Sequence, residues 1–362
     1  MAPLRPLRIG VLGCGNISTQ YCRGLLDHPD HATTIAYYDL LPERAAAFAD
    51  EFGGCAYDTI EALLADPQVD AVLNLTIHTA HFETTQAALN AGKHVFCEKP
   101  LSLSYADAKT LCEIAESKGL MLSGAPMTFL GEAQQTAWKT LRGETVGRPR
   151  LVYAEVNHGR IESWHPAPGP FYAVGPLWDV GVYPITLATT FFGPAQRVAS
   201  AYSRVIYPQR QTKDGTDFTI ETPEFTVAMI ELVSGVVVRL TTNFYVHHDN
   251  SHQGSRFEVH GDLGSVVLGS FQDFNAGVEA STFGASLESV TPVREPYDGI
   301  EWARAIVEFT EALAEGRAPR VTGRQAAHTV EILEAIATCA KTQQPVNLTS
   351  TFTQPTPMPW AG

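Results

Sequence analysis

The stretch LRIGVLGCGNIS, residues 7–18, decides the first half of the chain: an apolar run, two glycines one residue apart, then polar residues among which Ile17, Tyr21 and Leu25 recur at helical spacing. That pattern is a buried strand, a tight turn and a helix. Gly13-Cys14-Gly15-Asn16-Ile17-Ser18 forms a GxGxx[small] turn, with Ser18 where a third glycine is common. Absent side chains at Gly13 and Gly15 let the backbone at Asn16 and Ile17 and a helix N-terminus approach a pyrophosphate. The next strand, TTIAYYD, ends at Asp39, 21 residues beyond Ser18. A carboxylate there would accept the ribose hydroxyls of an adenosine.

Outward from this unit the alternation repeats. LPERAAAFADEFGG reads as a helix with Pro42 in its first turn, AVLNLT (71–76) as a strand, and HFETTQAALNAGK as a helix stopped at Gly92. HVFC (94–97) is a fourth strand, and SYADAKTLCEIAESKG is a helix with Ser104 as its cap and Asp107 three residues on. Strands alternating with helices imply a parallel sheet with crossover helices, and such sheets bind ligands beyond the carboxyl ends of their strands. At that edge the fourth strand runs into Glu98, Lys99 and Pro100. A dinucleotide is the expected cofactor. Asp39 would repel a 2′-phosphate and so favours NAD, while Arg44, one helical turn on, leaves NADP open.

Composition narrows the partners. A chain of 362 residues exceeds what one core usually serves, so two domains are expected. The apolar fraction of 44% and charged fraction of 18% are those of an ordinary globular protein. A formal charge of −14 argues against nucleic acid or an anionic membrane as the main partner, because both repel an acidic surface. Six cysteines (Cys14, Cys22, Cys55, Cys97, Cys112, Cys339) form no CxxC pair, which points to a reducing cytoplasm and no metal site. The N-terminus carries no signal-peptide pattern, and no apolar run approaches the roughly 18 residues of a membrane span.

Gly13, Gly15 and Asp39, followed by AGKHVFCEKPL (91–101), resemble the Gfo/Idh/MocA family of oxidoreductases. In the second half GPLWDVGVYP (175–184) is similar to that family's GxxxDxG[HY] signature, and FEVHGDLGSVVL (257–268) to its sheet strand and glycine turn. VTGRQAAHTVEILEAIATCAKTQQPVNL (321–348) is similar to its C-terminal helix, here about 323–342 and packing back on the first domain. The resemblance implies an α/β Rossmann NAD-binding domain over 1–125 and an α+β substrate-binding and oligomerisation domain over 126–362. The second would carry a large open, mainly antiparallel sheet whose exposed face forms homodimers or homotetramers. RLVYAEV, TPEFTVAMIEL, GVVVRLTTNFYV, SRFEVHG and GSVVLGS support that sheet independently, being β-branched or aromatic runs separated by turns.

By the same resemblance Lys99 projects toward the nicotinamide. An amine beside that positive ring should have a lowered pKa and act as a base, or as the charge that activates a neighbouring phenol. Asp179 and Tyr183 are four residues apart, on one face if a helix begins near 179, with Pro184 tolerated in its first turn. Tyr183 is assigned proton transfer with Lys99 as co-catalyst, roles that could be exchanged, and Asp179 anchors a substrate hydroxyl. Glu98 is a cofactor-side contact or an orienter of the lysine. Thr76 ends the third strand and His78 and His81 follow it, where the family's Thr-Pro-Asn-like turn and a later histidine line the cofactor; Ile77 and His78 depart from that turn.

Substrate contacts are sought among Met127, Asn157, Trp164, Tyr172 and Trp178, with Lys99, Asp179 and Tyr183, because aromatic faces pack on sugar rings and amides and carboxylates take hydroxyls. HPAPGPFYAVGP is read as a proline-stiffened loop walling the pocket, and His247, His248 and Asp249 as a solvent-facing group with no clear third metal ligand. The tail TSTFTQPTPMPWAG is non-helical and disordered by composition unless the body or a neighbouring subunit holds it. The function expected is hydride transfer between NAD(P) and a secondary hydroxyl of a sugar, sugar derivative or polyol. The alternative is an NAD-dependent glycosidase that oxidises, eliminates and re-reduces.

Overall fold

The computed structural model describes residues 5–247, 249 and 254–362. They fall into two compact units, residues 1–127 with 301–330 and residues 128–300 with 331–362.

In the first unit the strands are β1 (Leu7–Leu12), β2 (Ala32–Tyr38), β3 (Cys55–Ala56), β4 (Ala71–Asn74), β5 (His94–Cys97) and β6 (Leu122–Gly124). They pair in the order β3-β2-β1-β4-β5-β6, every pairing parallel. The helices α1 (Asn16–Leu25), α2 (Pro42–Phe52), α3 (Ile60–Ala65), α4 (His81–Asn90) and α5 (Tyr105–Ser117) connect them. Local chemistry fixes their ends. Pro42 opens α2, Thr59 caps α3 through Ala62 N, and Ser104 caps α5 through Asp107 N at 3.3 Å. Strand order reverses between β1 and β4, so their carboxyl ends form the crevice where such sheets bind ligands. Residues 301–330 return to this unit: Trp302 packs on Tyr21 with ring centroids 5.6 Å apart, and Arg324 forks onto Glu116 at 2.6 Å.

In the second unit α6 (Glu132–Arg142), β7 (Pro149–Asn157), α7 (Gly169–Asp179) and α8 (Val182–Phe192) precede β8 (Ala195–Arg204) and the small pair β9 (Gln209–Gln211) and β10 (Asp217–Thr219). Then come β11 (Phe225–Leu232), β12 (Val237–Asn243), β13 (Phe257–Gly261), β14 (Gly264–Leu268), β15 (Val278–Thr282) and β16 (Glu288–Ser289). Helix α9 (Arg304–Glu315) belongs to the first unit, and α10 (Gly323–Thr342), divided between the units after residue 330, leads to β17 (Val346–Asn347). Nine strands form one sheet, β16-β15-β14-β13-β7-β12-β11-β8-β17, antiparallel except where β12 runs parallel to β7. Along β11 buried and part-exposed residues alternate, the pattern of a sheet with one covered face. Helices α6 and α7 pack on it, and α8 is buried along nearly its whole length.

Two expectations are corrected, and for the tail the alternative that the body holds it is met. Asp179 and Tyr183 do not share a helix: Asp179 ends α7, Val180 and Gly181 intervene, and Tyr183 lies in the first turn of α8. The segment read as a proline-stiffened loop is largely helical over 169–179. Pro170 sits in the first turn, and the break falls at Gly175 (φ 78°), which lets Pro176 begin a new turn without removing an internal bond. The tail is ordered: Gln354 donates to the carbonyls of Thr190 and Phe191, Met358 N donates to Gln135, Trp360 lies under Arg294, and 359–361 form a 3-10 turn.

Candidate cofactor and active site

The first unit gathers its unusual residues at the carboxyl ends of β1, β2, β4 and β5. Gly13 has φ 89°, and a Cβ there would lie 2.6 Å from the carbonyl oxygen of Leu75, so only glycine fits. Ser18 Oγ closes the turn by donating to Gly13 O at 2.6 Å. Gly15 precedes α1, whose N-terminus no side chain caps, and a Cβ on Gly15 would meet nothing within 4 Å. Asp39, half-buried after β2, accepts from Cys14 N at 2.8 Å and Leu41 N at 2.9 Å. Arg44 is exposed in the first turn of α2. Burial pushes the Cys14 thiol up to about 12, so it stays neutral. An uncapped helix N-terminus behind open space, beside a carboxylate, fits a dinucleotide's pyrophosphate and ribose.

At the end of β4 one residue organises the next turn. Asn74, wholly buried, donates to His81 O and to the hydroxyls of Thr84 and Thr85, and accepts from the amide and hydroxyl of Thr76. His78 is half-buried on that turn. His81 is only 1% exposed, and its ring nitrogens sit 2.6 Å from Pro100 O and 3.0 Å from Thr76 O. Both ring nitrogens of His81 are thus engaged by backbone carbonyls. Burial opposes its charge, but Cys97 and the two carbonyls prevail and raise its pKa to about 9.

After β5, Glu98 is 7% exposed; its carboxylate accepts from Tyr21 Oη at 2.7 Å and from Lys99 N at 2.9 Å. Those contacts make it an orienter of the lysine's backbone. Lys99 is half-buried.

In the second unit Asp179 is half-buried and Tyr183 is 5% exposed, its ring stacked on Phe271 at 6.3 Å. Trp164, 46% exposed, is the most accessible aromatic among the expected substrate contacts, packed edge-on against His158, His165 and Phe171. Tyr172 and Asn157, two of the expected substrate contacts, have polar partners within the chain. Tyr172 Oη donates to Glu162 at 2.5 Å and accepts from Ile161 N, while Asn157 donates to Gly254 O and accepts from Asn243. Met127, at 1% exposure, is likewise enclosed. Trp178 lines a cavity of about 380 Å³ with Leu177, Thr222, Pro223 and Lys341. His247 pairs with Asp249 at 3.6 Å and His248 lies outside the described residues. Among the described residues no group of three or more His, Cys, Asp or Glu is placed to hold a metal ion. No described helix is long and apolar enough to cross a membrane.

The sequence reading did not single out Asn74 or, as a partner of Glu98, Tyr21. Asn74 carried a faint signal, a polar residue inside the apolar run AVLNLT. Tyr21 carried none.

Two family models match. Residues 7–125 match the Gfo/Idh/MocA oxidoreductase family model for an NAD-binding Rossmann fold, and residues 134–267 match that family's C-terminal domain. A dTDP-3,4-didehydro-2,6-dideoxy-alpha-D-glucose 3-reductase of Streptomyces antibioticus is 36% identical over 207 residues, 56% of this chain and 62% of that protein. A D-xylose 1-dehydrogenase (NADP(+)) of Haloferax volcanii is 27% identical over 355 residues, 94% of this chain and all of that one. Among solved structures, levoglucosan dehydrogenase in complex with NADH and levoglucosan superposes with a TM-score of 0.80 at 20% identity, covering 94% of this chain and 99% of that one.

Proposed function

Because this chain belongs to the Gfo/Idh/MocA oxidoreductase family, we propose that it transfers hydride between NAD(P) and a secondary hydroxyl of a sugar, sugar derivative or polyol. The observation that carries this is the edge where the Gly13 turn, Asp39 and the Glu98-Lys99-Pro100 string converge at the carboxyl ends of one parallel sheet. Relatives that act on xylose and on a dTDP-deoxysugar agree with the substrate class.

Bound there, the nicotinamide would accept the carbinol hydrogen with its electron pair. The chain's own groups do the rest. The turn from Gly13 to Ile17 holds the pyrophosphate and Asp39 the ribose, which favours NAD over NADP. Lys99 or Tyr183 takes the hydroxyl proton as the C–H bond breaks, leaving a carbonyl, and Asp179 holds a substrate hydroxyl. A free phenol titrates near 10, so Tyr183 needs the positive charge of Lys99 or of the cofactor to act at neutral pH. The open face of the nine-stranded sheet is the proposed contact for a homodimer or homotetramer, which light scattering would size, and the cytoplasm the proposed compartment.

The test is a panel of monosaccharides, inositols and deoxysugars incubated with NAD and with NADP while NADH or NADPH absorbance is followed. Reduction of NAD in preference to NADP, abolished in K99A, is expected. A panel in which no alcohol reduces either cofactor overturns the reading.

A further inference from the structure

His81 presents a protonation problem, posed by two carbonyls and by Cys97, which is hydrogen-bonded to the same side chain. A neutral imidazole has one N–H donor and one bare lone pair. Both of its ring nitrogens face carbonyl oxygens, Nδ1 to Pro100 at 2.6 Å and Nε2 to Thr76 at 3.0 Å, and a carbonyl has no hydrogen to give. A neutral ring would hold a lone pair against a carbonyl oxygen inside a site that is 1% exposed. Only the imidazolium satisfies both contacts. Its place in the first turn of α4 works against the charge, since helix N-termini favour anions.

We propose that His81 is a clamp protonated at neutral pH, a positioning residue that ties the turn after β4 to the turn after β5 and so fixes the backbone beside Lys99. The titratable group facing it is Cys97 of β5; Asn74 of β4, with Thr84 and Thr85 of α4, surrounds the same turn without charge. The raised pKa agrees with this arrangement. The clamp is stationed between the two carbonyls, where neither ring nitrogen is left to contact a ligand. Its positioning role rests on the function proposed above for Lys99, whereas its protonation does not.

Nitrogen-15 NMR of the histidine-labelled full chain separates the two. The His81 signals are identified by their loss in H81Q, or, should that variant not fold, by elimination with His→Gln variants at the other eleven of the twelve histidines. Both ring nitrogens should give imidazolium signals at neutral pH and titrate only in the alkaline range. A single protonated nitrogen at neutral pH overturns the proposal. With a substrate from the panel, H81Q should lower kcat by about tenfold or more and remove the alkaline limb that His81 contributes to the kcat profile. Wild-type kcat with an unchanged profile overturns the positioning role. Absence of any dehydrogenase activity in the wild type would strike the function and leave the NMR result standing.

Discussion

Tyr21 of α1 donates its hydroxyl hydrogen bond to Glu98, at the end of β5, across 2.7 Å and 77 residues of sequence. The tyrosine is wholly buried, with Phe96 on one side and Trp302 on another at 6.0 and 5.6 Å. One helix thus presents an uncapped N-terminus at the proposed cofactor edge and, a turn further on, braces the strand end that carries Lys99. Glu98 transmits the bracing through its second oxygen, which accepts from the lysine's own amide.

Y21F should therefore leave one buried carboxylate oxygen without its donor. A hydrogen bond to a charged group is worth about 1.5–3 kcal/mol. In a unit of this size that is a fall in Tm of roughly 5 °C. Thermal melting measures it, and kcat should fall with it while KM for NAD changes less. An unchanged Tm would mean that the bond contributes nothing.

The two glycines of the first turn should fail in different ways. Gly13→Ala places a Cβ 2.6 Å from Leu75 O at a φ of 89°, so it should lower Tm and abolish NADH binding together. Gly15→Ala meets no atom within 4 Å, so the fold should keep its Tm. The new methyl would nonetheless occupy the space before α1 and weaken NADH binding by about tenfold, roughly 1.4 kcal/mol. Melting curves and fluorescence titration with NADH distinguish the two. Equal losses of Tm would refute the contrast.

Much of this edge was legible in the sequence because strand, glycine turn and helix repeat with a strong period, and the polar residues ending each strand break an apolar run. β3 and β6 were missed because two or three residues carry no periodicity. The division between α7 and α8 was hidden because Gly181 adopts ordinary right-handed helical angles, φ −64° and ψ −23°, and nothing in VGVYP marks the break. The setting of His81 is hidden for a different reason. A histidine at a helix start is usually solvated, and only the meeting of two distant turns shows that both nitrogens face carbonyls. The return of residues 301–330 to the first unit is a tertiary fact that local pattern does not encode; the resemblance of 321–348 to a family helix anticipated part of it.

The ordered tail hangs on Glu331. Its carboxylate accepts from the amides and hydroxyls of both Thr349 and Ser350. Burial pushes the pKa of Glu331 up, these bonds push it down, and the bonds prevail. A depressed carboxylate contributes stability above its unfolded pKa, near 4.3, and loses it as pH falls through the lower folded value. E331Q, which cannot accept at both positions, should expose residues 349–362 to protease at neutral pH, and the wild type should become similarly sensitive only well below about pH 4. Mass spectrometry of limited digests reads the cleavage sites. Equal protection of the tail in E331Q and wild type at neutral pH would rule out this anchor.

Arg210 of β9 holds the other side of the second unit together. Its side chain is 0% exposed, and it pairs with Glu162 at 2.7 Å and with Glu224, its guanidinium 4.7 Å from the centre of the Tyr172 ring. Glu162 in turn accepts from Tyr172 Oη, and Glu224 from the amides of Ile206 and Tyr207. Removing the arginine strands two buried carboxylates, so R210M should cost about 3–5 kcal/mol. R210K should recover little, because a single ammonium cannot reproduce the planar fork that reaches both partners. The triple variant R210M/E162Q/E224Q removes the stranded charge, and should regain a large part of what R210M loses. Denaturant unfolding of the full chain compares the three. Because Glu162 lies two residues before Trp164, a proposed substrate contact, R210M should also raise KM for the substrate more than it lowers kcat, the pattern of a loosened binding wall with the reacting groups left in place. A triple variant no more stable than R210M would show that packing of the guanidinium, and not its charge, is what the network supplies.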